Sequence, residues 1–245
     1  MRETASGRLI GIGVGPGDPE LLTLKAARIL AEADVVAHFA KAGNASNARR
    51  IVAQHLRPGV EELPLLYPVT TEVPTSTPAY RDAIRDFYDE SAASVSRHLD
   101  QGLTVAVLSE GDPLFYGSYM HLHVRLAPRY RVEVVPGVTA MSGCWSLAGA
   151  PIAQGDDVFV VLPATLPEAE LERRLLDADA AVMMKLGRHL EKVRRVLRRT
   201  GRLSQAIYVE RGTTSEAITM PLADKSDEAA PYFSVILLPG WEKRP

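Results

Sequence analysis

Two α/β domains are predicted by this 245-residue sequence, the first built on a mostly parallel sheet and the second on a mixed one. Three observations carry that prediction. In the first half, apolar runs of strand length alternate with stretches of helical periodicity, the pattern of a parallel sheet covered on both faces. Three of those strands, ending near Val14, Leu108 and Val135, run into turns rich in Gly, Pro, Asp and Thr. In the second half the last three strands follow one another too closely for helices, so some neighbours must be antiparallel. The boundary falls at residue 136, giving domains 1–136 and 137–245.

Element by element, Met1–Gly7 reads as a frayed tail and Arg8–Val14 as the first strand. A helix follows through about Ala33, with Leu22, Ala26, Ile29, Leu30 and Ala33 on one face. Its start is signalled twice, by Asp18 with Pro19 and again by Thr23. Asp34–Phe39 is the second strand, Ser46–Leu56 a helix, and Pro64–Tyr67 closes a third strand. Leu63–Thr77 carries Pro64, Pro68 and Pro74 and five threonines or serines. It reads as a long loop and a candidate lid. Thr77 then caps a helix with Pro78 at its first position, and Tyr80, Ile84, Phe87, Tyr88, Val95 and Leu99 keep the helical period until Gly102 stops it. Leu103–Leu108 and Arg131–Val135 are further strands. The second half offers strands at Val158–Leu162, Ala181–Leu186, Ala206–Glu210, Glu216–Leu222 and Tyr232–Leu238, with helices near Pro167–Asp177 and His189–Thr200.

The first turn, Gly11-Ile12-Gly13-Val14-Gly15-Pro16-Gly17-Asp18-Pro19, narrows the chemistry. Its glycines let backbone groups approach a ligand where a side chain would intrude. A Walker loop would require Gly-Lys-Ser/Thr, and no Lys is present. The dinucleotide fingerprint needs a third glycine where Pro16 and Asp18 crowd the turn. A small ligand other than a pyrophosphate cofactor is therefore expected beyond the carboxyl ends of these strands.

Composition removes other classes. A net charge of −2 argues against a general nucleic-acid binder. The basic run Arg194-Arg195-x-x-Arg198-Arg199 has no interleaved aromatics and reads as a solvated helix face. Cys144 is the single cysteine, which rules out an internal disulfide framework, and its apolar surroundings suggest packing. His121 and His123 point apart on a helix, so no metal site is expected. Trp145 and Phe159 read as core. No run approaches the roughly 20 apolar residues of a membrane helix. The chain reads as soluble and cytoplasmic.

Four landmarks occur in order: Gly11-x-Gly13-x-Gly15-Pro16-Gly17-Asp18, Gly111-Asp112-Pro113, Pro136-Gly137-Val138-Thr139-Ala140 and Glu210-Arg211-Gly212-Thr213. Together they resemble the tetrapyrrole methylase family, from about Arg8 to Gly240. The resemblance implies the class III S-adenosylmethionine methyltransferase fold, with the cofactor in a cleft between two domains and a homodimeric assembly. Carried over by position, Pro16, Glu110, Gly111, Asp112, Phe115, Thr139, Ala140, Met184 and Gly212 would bind S-adenosylmethionine. The stretch Val182-Met183-Met184-Lys185-Leu186 lacks the family's commoner Met-Gly ending, which leaves Met184 and Lys185 as alternatives. A carboxylate such as Asp112 would favour the cofactor's ammonium or sulfonium; Asp112 is equally suited to open the turn before Pro113.

Within the family, Lys41 through Ile51, Tyr67-Pro68-Val69-Thr70-Thr71, Met184 through His189 and Pro231-Tyr232-Phe233-Ser234 resemble the corrin-forming branch. Glu110 stands where the siroheme-forming branch would show Gly. That branch implies a small-molecule tetrapyrrole substrate rich in carboxylates, for which Lys41, Arg49, Arg50, Lys185, Arg188, His189 and Arg211 are candidate cations. Arg49, Arg50 and Arg188 lead that set, because a planar guanidinium binds a carboxylate through two hydrogen bonds. For proton removal Glu110, Asp112 and His189 are the candidates. The substrate could be metal-free or carry cobalt. Family members that methylate ribosomal RNA ribose or a translation factor, and a carrier that binds without turnover, are the competing readings.

Overall fold

A computed structural model describes residues 7–68 and 77–240 and divides the chain into two compact units, Met1–Thr139 and Ala140–Pro245. The first unit holds a five-stranded sheet ordered β3-β2-β4-β1-β5, with β1 Arg8–Gly13, β2 Val35–Lys41, β3 Glu61–Tyr67, β4 Thr104–Ser109 and β5 Arg131–Val135. Every pairing in it is parallel. One face packs Leu9, Val105 and Val107 against Phe87, Val95, Leu99, Tyr119 and Leu122. These last five come from α3 (Pro78–Leu99) and α4 (Tyr119–Leu126). The other face sets Ile10, Ile12, Ala106 and Leu108 against Ala26, Ile29 and Leu30 of α1 (Leu24–Glu32) and Ala48 and Ile51 of α2 (Asn47–Ile51).

Both start signals before α1 are used. Asp18 accepts from the Glu20 N–H at 2.9 Å and opens a single 3₁₀ turn over Pro19–Leu21, whereas Thr23 accepts from the Ala26 N–H at 3.1 Å and caps α1 itself. Thr23→Ala is expected to cost about 1 kcal/mol, the usual worth of such a cap. A urea midpoint equal to wild type would contradict that role. The expected Ser46–Leu56 helix is shorter. Ser46 caps α2, which ends at Ile51 and gives way to a 3₁₀ turn over Ala53–His55. Strand β3 occupies the start of the expected Leu63–Thr77 loop; residues 69–76, the rest of the candidate lid, lie outside the described residues, as do residues 1–6 of the tail.

The second unit holds a mixed sheet ordered β6-β7-β10-β8-β9. Its strands are β6 Phe159–Pro163, β7 Ala180–Met184, β8 Ile207–Glu210, β9 Ile218–Pro221 and β10 Ser234–Leu238. β6 and β7 are parallel, whereas β10 runs antiparallel to β7 and β8, and β8 to β9. β7 stops at Met184 instead of reaching Leu186, because Lys185 turns left-handed at φ 59°. α6 (Glu168–Leu176) and α7 (Leu190–Arg199) pack through Leu171, Leu175, Val193, Val196 and Leu197 on one side. A further helix, α5 (Ala140–Leu147), has no capping or periodicity signal strong enough to be read from the sequence. It places buried Cys144 against Val182, Val209 and Leu237, with Trp145 and Phe159 partly buried beside them.

The basic run on α7 departs from the expected solvated face at one residue. Arg195, Arg198 and Arg199 are exposed and pair with Glu168, Glu191 and Glu172. Arg194 is buried, and its guanidinium donates to the carbonyls of Asp227 (2.7 Å) and Lys225. The helical period turns Arg194 inward alongside Val193 and Leu197.

Candidate active site

In an all-parallel sheet every carboxyl end lies at the same edge, and here the three glycine-bearing turns meet there. The Val14 N–H donates to the Ser109 carbonyl at 2.9 Å, and the Gly111 N–H to the Gly15 carbonyl at 2.8 Å, which stitches the β1 turn to the β4 turn. Asp112 joins the third. One carboxylate oxygen accepts from the Leu114 N–H at 2.9 Å and the other from the Gly137 N–H at 3.2 Å. Two long-separated bends are thus tied by a single side chain, whose oxygens are already engaged.

The glycines leave no spare room. A Cβ on Gly13 would lie 2.5 Å from the Gly137 nitrogen and 2.8 Å from the Gly111 carbonyl oxygen, while Gly111 itself sits at φ 66°. Gly11 serves differently from its neighbours. The space where its Cβ would be is filled by the ring of Tyr119, so it is required by the core. Beyond Asp112, Phe115 is half-buried and meets the exposed Tyr116 ring edge-on at 4.9 Å, with Tyr116 held at φ 55°. Pro16 and Thr139 are half-buried on the same set of turns.

Glu110 follows the last residue of β4. Its residue surface is open to solvent, yet its carboxyl is crowded by protein, and that desolvation raises its pKa. Asn47, the charge of Arg50 and the Ala48 N–H pull in the opposite direction without cancelling the rise. Arg50 therefore lies on the Glu110 side of α2, where it also donates to Asn47 Oδ1 at 3.0 Å. Its neighbour Arg49 is committed elsewhere. Two guanidinium nitrogens donate to the Glu62 carboxylate, both at 2.8 Å, and the Glu62 carboxyl is held below its ordinary value mainly by that bond. Buried His38 lies 3.5 Å from the same carboxylate, its pKa lowered by burial. Sequence spacing alone does not separate the two arginines; the Arg49–Glu62 pairing between α2 and β3 does.

Within the second unit, the carboxyl ends of β7 and β8 and the start of β10 share one edge. Met184 is half-buried as the last residue of β7, and Lys185, exposed, is the left-handed residue after it. Arg188 is exposed, and His189 has its pKa lowered first by burial, then by Lys192 and Arg188. After β8, Arg211 (φ 48°) and Thr213 (φ 68°) are also left-handed, flanking Gly212. A Cβ on Gly212 would sit 2.5 Å from the Cys144 sulfur. Burial pushes the Cys144 thiol up to about 12, which fits packing and not nucleophilic chemistry. Ala140 is exposed as the first residue of α5. Strained non-glycine residues concentrate at functional sites. The sequence held no sign of these, since Arg and Thr have no preference for positive φ.

The described residues contain no group of three or more metal-ligating side chains. His121 instead stacks on Tyr88 at 4.0 Å, and the Tyr119 hydroxyl lies 3.3 Å from His123 Nδ1.

Residues 8–225 match the sequence profile of the Tetrapyrrole (Corrin/Porphyrin) Methylases. The chain is 64% identical to a precorrin-2 C(20)-methyltransferase from Sinorhizobium sp. over 245 residues, covering all of both chains. It is 29% identical over 236 residues to a cobalt-precorrin-2 C(20)-methyltransferase from Salmonella typhimurium, covering 95% of this chain and 96% of that one. Among solved structures, uroporphyrin-III C-methyl transferase from Thermus thermophilus complexed with S-adenyl homocysteine superposes with a TM-score of 0.62 at 25% identity, over 95% of this chain and 92% of that one.

Proposed function

Since the chain belongs to the tetrapyrrole (corrin/porphyrin) methylase family, we propose that it transfers a methyl group from S-adenosylmethionine to C-20 of precorrin-2, giving precorrin-3A in cobalamin biosynthesis. The observation that carries this reading is the end-to-end 64% identity with the Sinorhizobium enzyme of that activity. The identity to the cobalt-precorrin-2 enzyme is less than half as high, which favours the metal-free substrate. Incubating the purified protein with S-adenosylmethionine and either precorrin-2 or its cobalt-loaded counterpart, followed by absorbance, tests the choice. Faster turnover of the metal-free form is expected; turnover of the cobalt form alone, or of a ribosomal subunit instead, would overturn it.

The first unit suits such a cofactor. Its three turns close on one another backbone to backbone at Gly13, Gly111 and Gly137, which brings main chain and no bulky side chain to the carboxyl edge of the sheet. From that unit Pro16, Glu110, Gly111, Asp112, Phe115 and Thr139 would hold it, and from the second unit Ala140, Met184 and Gly212. When bound, S-adenosylmethionine supplies an electrophilic methyl on a cationic sulfur. The meso carbon of the substrate is already nucleophilic, so the chain's residues need to align it, exclude water and take up the proton that C-20 loses. Asp112 is engaged by two backbone N–H groups, so it serves better as a strut than as a base. Glu110 fits the base role best in the first unit, because desolvation makes its carboxylate more basic.

That assignment has a pH signature. A base acts deprotonated, so activity is present above its pKa and lost as pH falls through it. The raised pKa of Glu110 places the acidic limb of kcat above the ordinary Glu value of about 4.3. Glu110→Gln is expected to lower kcat by roughly 100-fold, the scale of a general base, and to abolish that limb. An unchanged limb would assign the proton to another group.

Of the three leading cations for the substrate carboxylates, Arg50 and Arg188 are exposed and Arg49 is paired. Arg50→Ala is expected to raise KM by about tenfold, the cost of roughly one charge-assisted contact. Arg49→Ala should change stability more than KM. The reverse ranking would return Arg49 to the substrate site. We further propose a cytoplasmic location, as read from the sequence, and a homodimer, as the family resemblance implies; sedimentation at micromolar concentration checks the assembly.

A further inference from the structure

We propose that Tyr232 and Phe233, with Arg188 and Arg211 beside them, form a docking face for the carboxylate-bearing tetrapyrrole ring; the ligand class rests on the function proposed above. Four observations converge on this end of the second sheet. Tyr232 is 78% exposed and Phe233 44%, and their rings meet edge-on at 5.0 Å and 88°. Two adjacent large aromatics are held at the surface where burial would otherwise favour them by kilocalories.

Their backbone is fixed from both sides. The Arg211 N–H donates to the Phe233 carbonyl at 2.8 Å, and the Ala230 N–H to the Gly187 carbonyl at 3.1 Å, so residues 230–233 bridge the ends of β7 and β8. A partly buried polar network ties the segment before them to β8 and α7. Tyr208 donates to Glu210 at 2.8 Å; the Lys225 ammonium lies 4.6 Å over the Tyr208 ring and donates to Asp227 at 2.8 Å; Arg194 holds the Lys225 and Asp227 carbonyls. Ser234 donates to the Pro231 carbonyl at 2.7 Å. These bonds fix the backbone that carries the aromatic pair, which lowers the ordering cost of binding.

The charges complete the match. Arg188 is exposed and has no carboxylate partner among the described residues. Arg211 is half-exposed and forms 3.5 Å ion pairs with Glu210 and Glu216 through the same guanidinium nitrogen, so a substrate carboxylate competes for a fork that is only loosely held. A flat apolar macrocycle fringed with carboxylates presents the complement: π-faces for the aromatic rings and planar anions for the guanidinium forks.

Uroporphyrin, a stable carboxylated tetrapyrrole, is the probe. Titrated into the full chain and followed by its absorbance shift, it should bind wild type, and Tyr232→Ser/Phe233→Ser should weaken it by at least about tenfold, a stacking-scale loss. Arg188→Glu should weaken it comparably, and more at low salt than at high salt. Affinity for S-adenosylhomocysteine, measured by calorimetry, should stay at the wild-type value in all variants, which also reports folding. Equal uroporphyrin affinity in the double variant would overturn the proposal. So would a change confined to oligomeric state, which would make the pair a subunit contact. Methyl transfer to precorrin-2 by wild type is scored separately: its absence would refute the proposed function, while porphyrin binding would still test the docking face.

Discussion

Gly137→Ala is expected to abolish measurable cofactor binding and to destabilise the first unit. At this position an added Cβ would collide with the Gly111 carbonyl oxygen and approach the Gly13 Cα to 2.8 Å. Both obstacles are backbone, so neither can rotate away. The turn after β5 must move, which breaks the Gly137 N–H bond to Asp112 and parts it from the turns after β1 and β4. Overpacking of this kind typically costs about 1–3 kcal/mol, and the lost hydrogen bond to a carboxylate about 1.5–3 more. A loss of S-adenosylhomocysteine affinity of roughly 100-fold or greater corresponds to about 2.8 kcal/mol. Gly43→Ala is the control. Gly43 sits at positive φ (81°), and nothing lies within 4 Å of the added methyl, so the cost is confined to backbone strain of about 1 kcal/mol. Similar effects of the two substitutions on affinity would mean that turn closure is irrelevant to the cofactor.

Arg194→Ala should be the most damaging single change in the second unit. The guanidinium is buried and satisfies two main-chain carbonyls that are otherwise left without it. Removing one side of a buried charged interaction costs about 3–5 kcal/mol in comparable settings. Arg198, exposed and paired with Glu191 at 3.2 Å, is the contrast: its alanine variant should lose about 0–1 kcal/mol. Because Arg194 anchors residues 225–227, which lead into the aromatic pair, its loss should also raise KM for the tetrapyrrole before it affects S-adenosylhomocysteine affinity. Arg194→Lys should recover only part of the stability, since an ammonium lacks the planar fork that reaches both carbonyls. Denaturant midpoints close to wild type for Arg194→Ala would show that the carbonyls find other donors.

How far the sequence revealed this molecule depended on whether a feature was local. The strands, the Thr23 and Thr77 caps and the parallel-to-mixed change in sheet character follow from periodicity, capping residues and connection length, and all were legible. That the glycine-bearing turns meet at one edge was legible for the same reason: parallel strands put their carboxyl ends together wherever they lie in the chain. What escaped was set by distant partners. Arg194 carries the same side chain as Arg195, and only the Lys225–Asp227 segment packed over it decides that it is buried. Arg49 and Arg50 are adjacent, and only a carboxylate on β3 decides that Arg49 is held in an ion pair. Gly11 sits in a glycine-rich turn yet answers to the Tyr119 ring. The left-handed Lys185, Arg211 and Thr213 have no compositional mark, because their strain is imposed by the sheet ends they close.

On the proposed function, one methyl group is moved onto one carbon. Precorrin-2 incubated with the protein and S-adenosylmethionine labelled with carbon-13 in its methyl group, then examined by carbon NMR, reads that directly. A single new labelled methyl resonance coupled to C-20 is the predicted result. Label at another carbon, or none in a protein that binds both compounds, would contradict it.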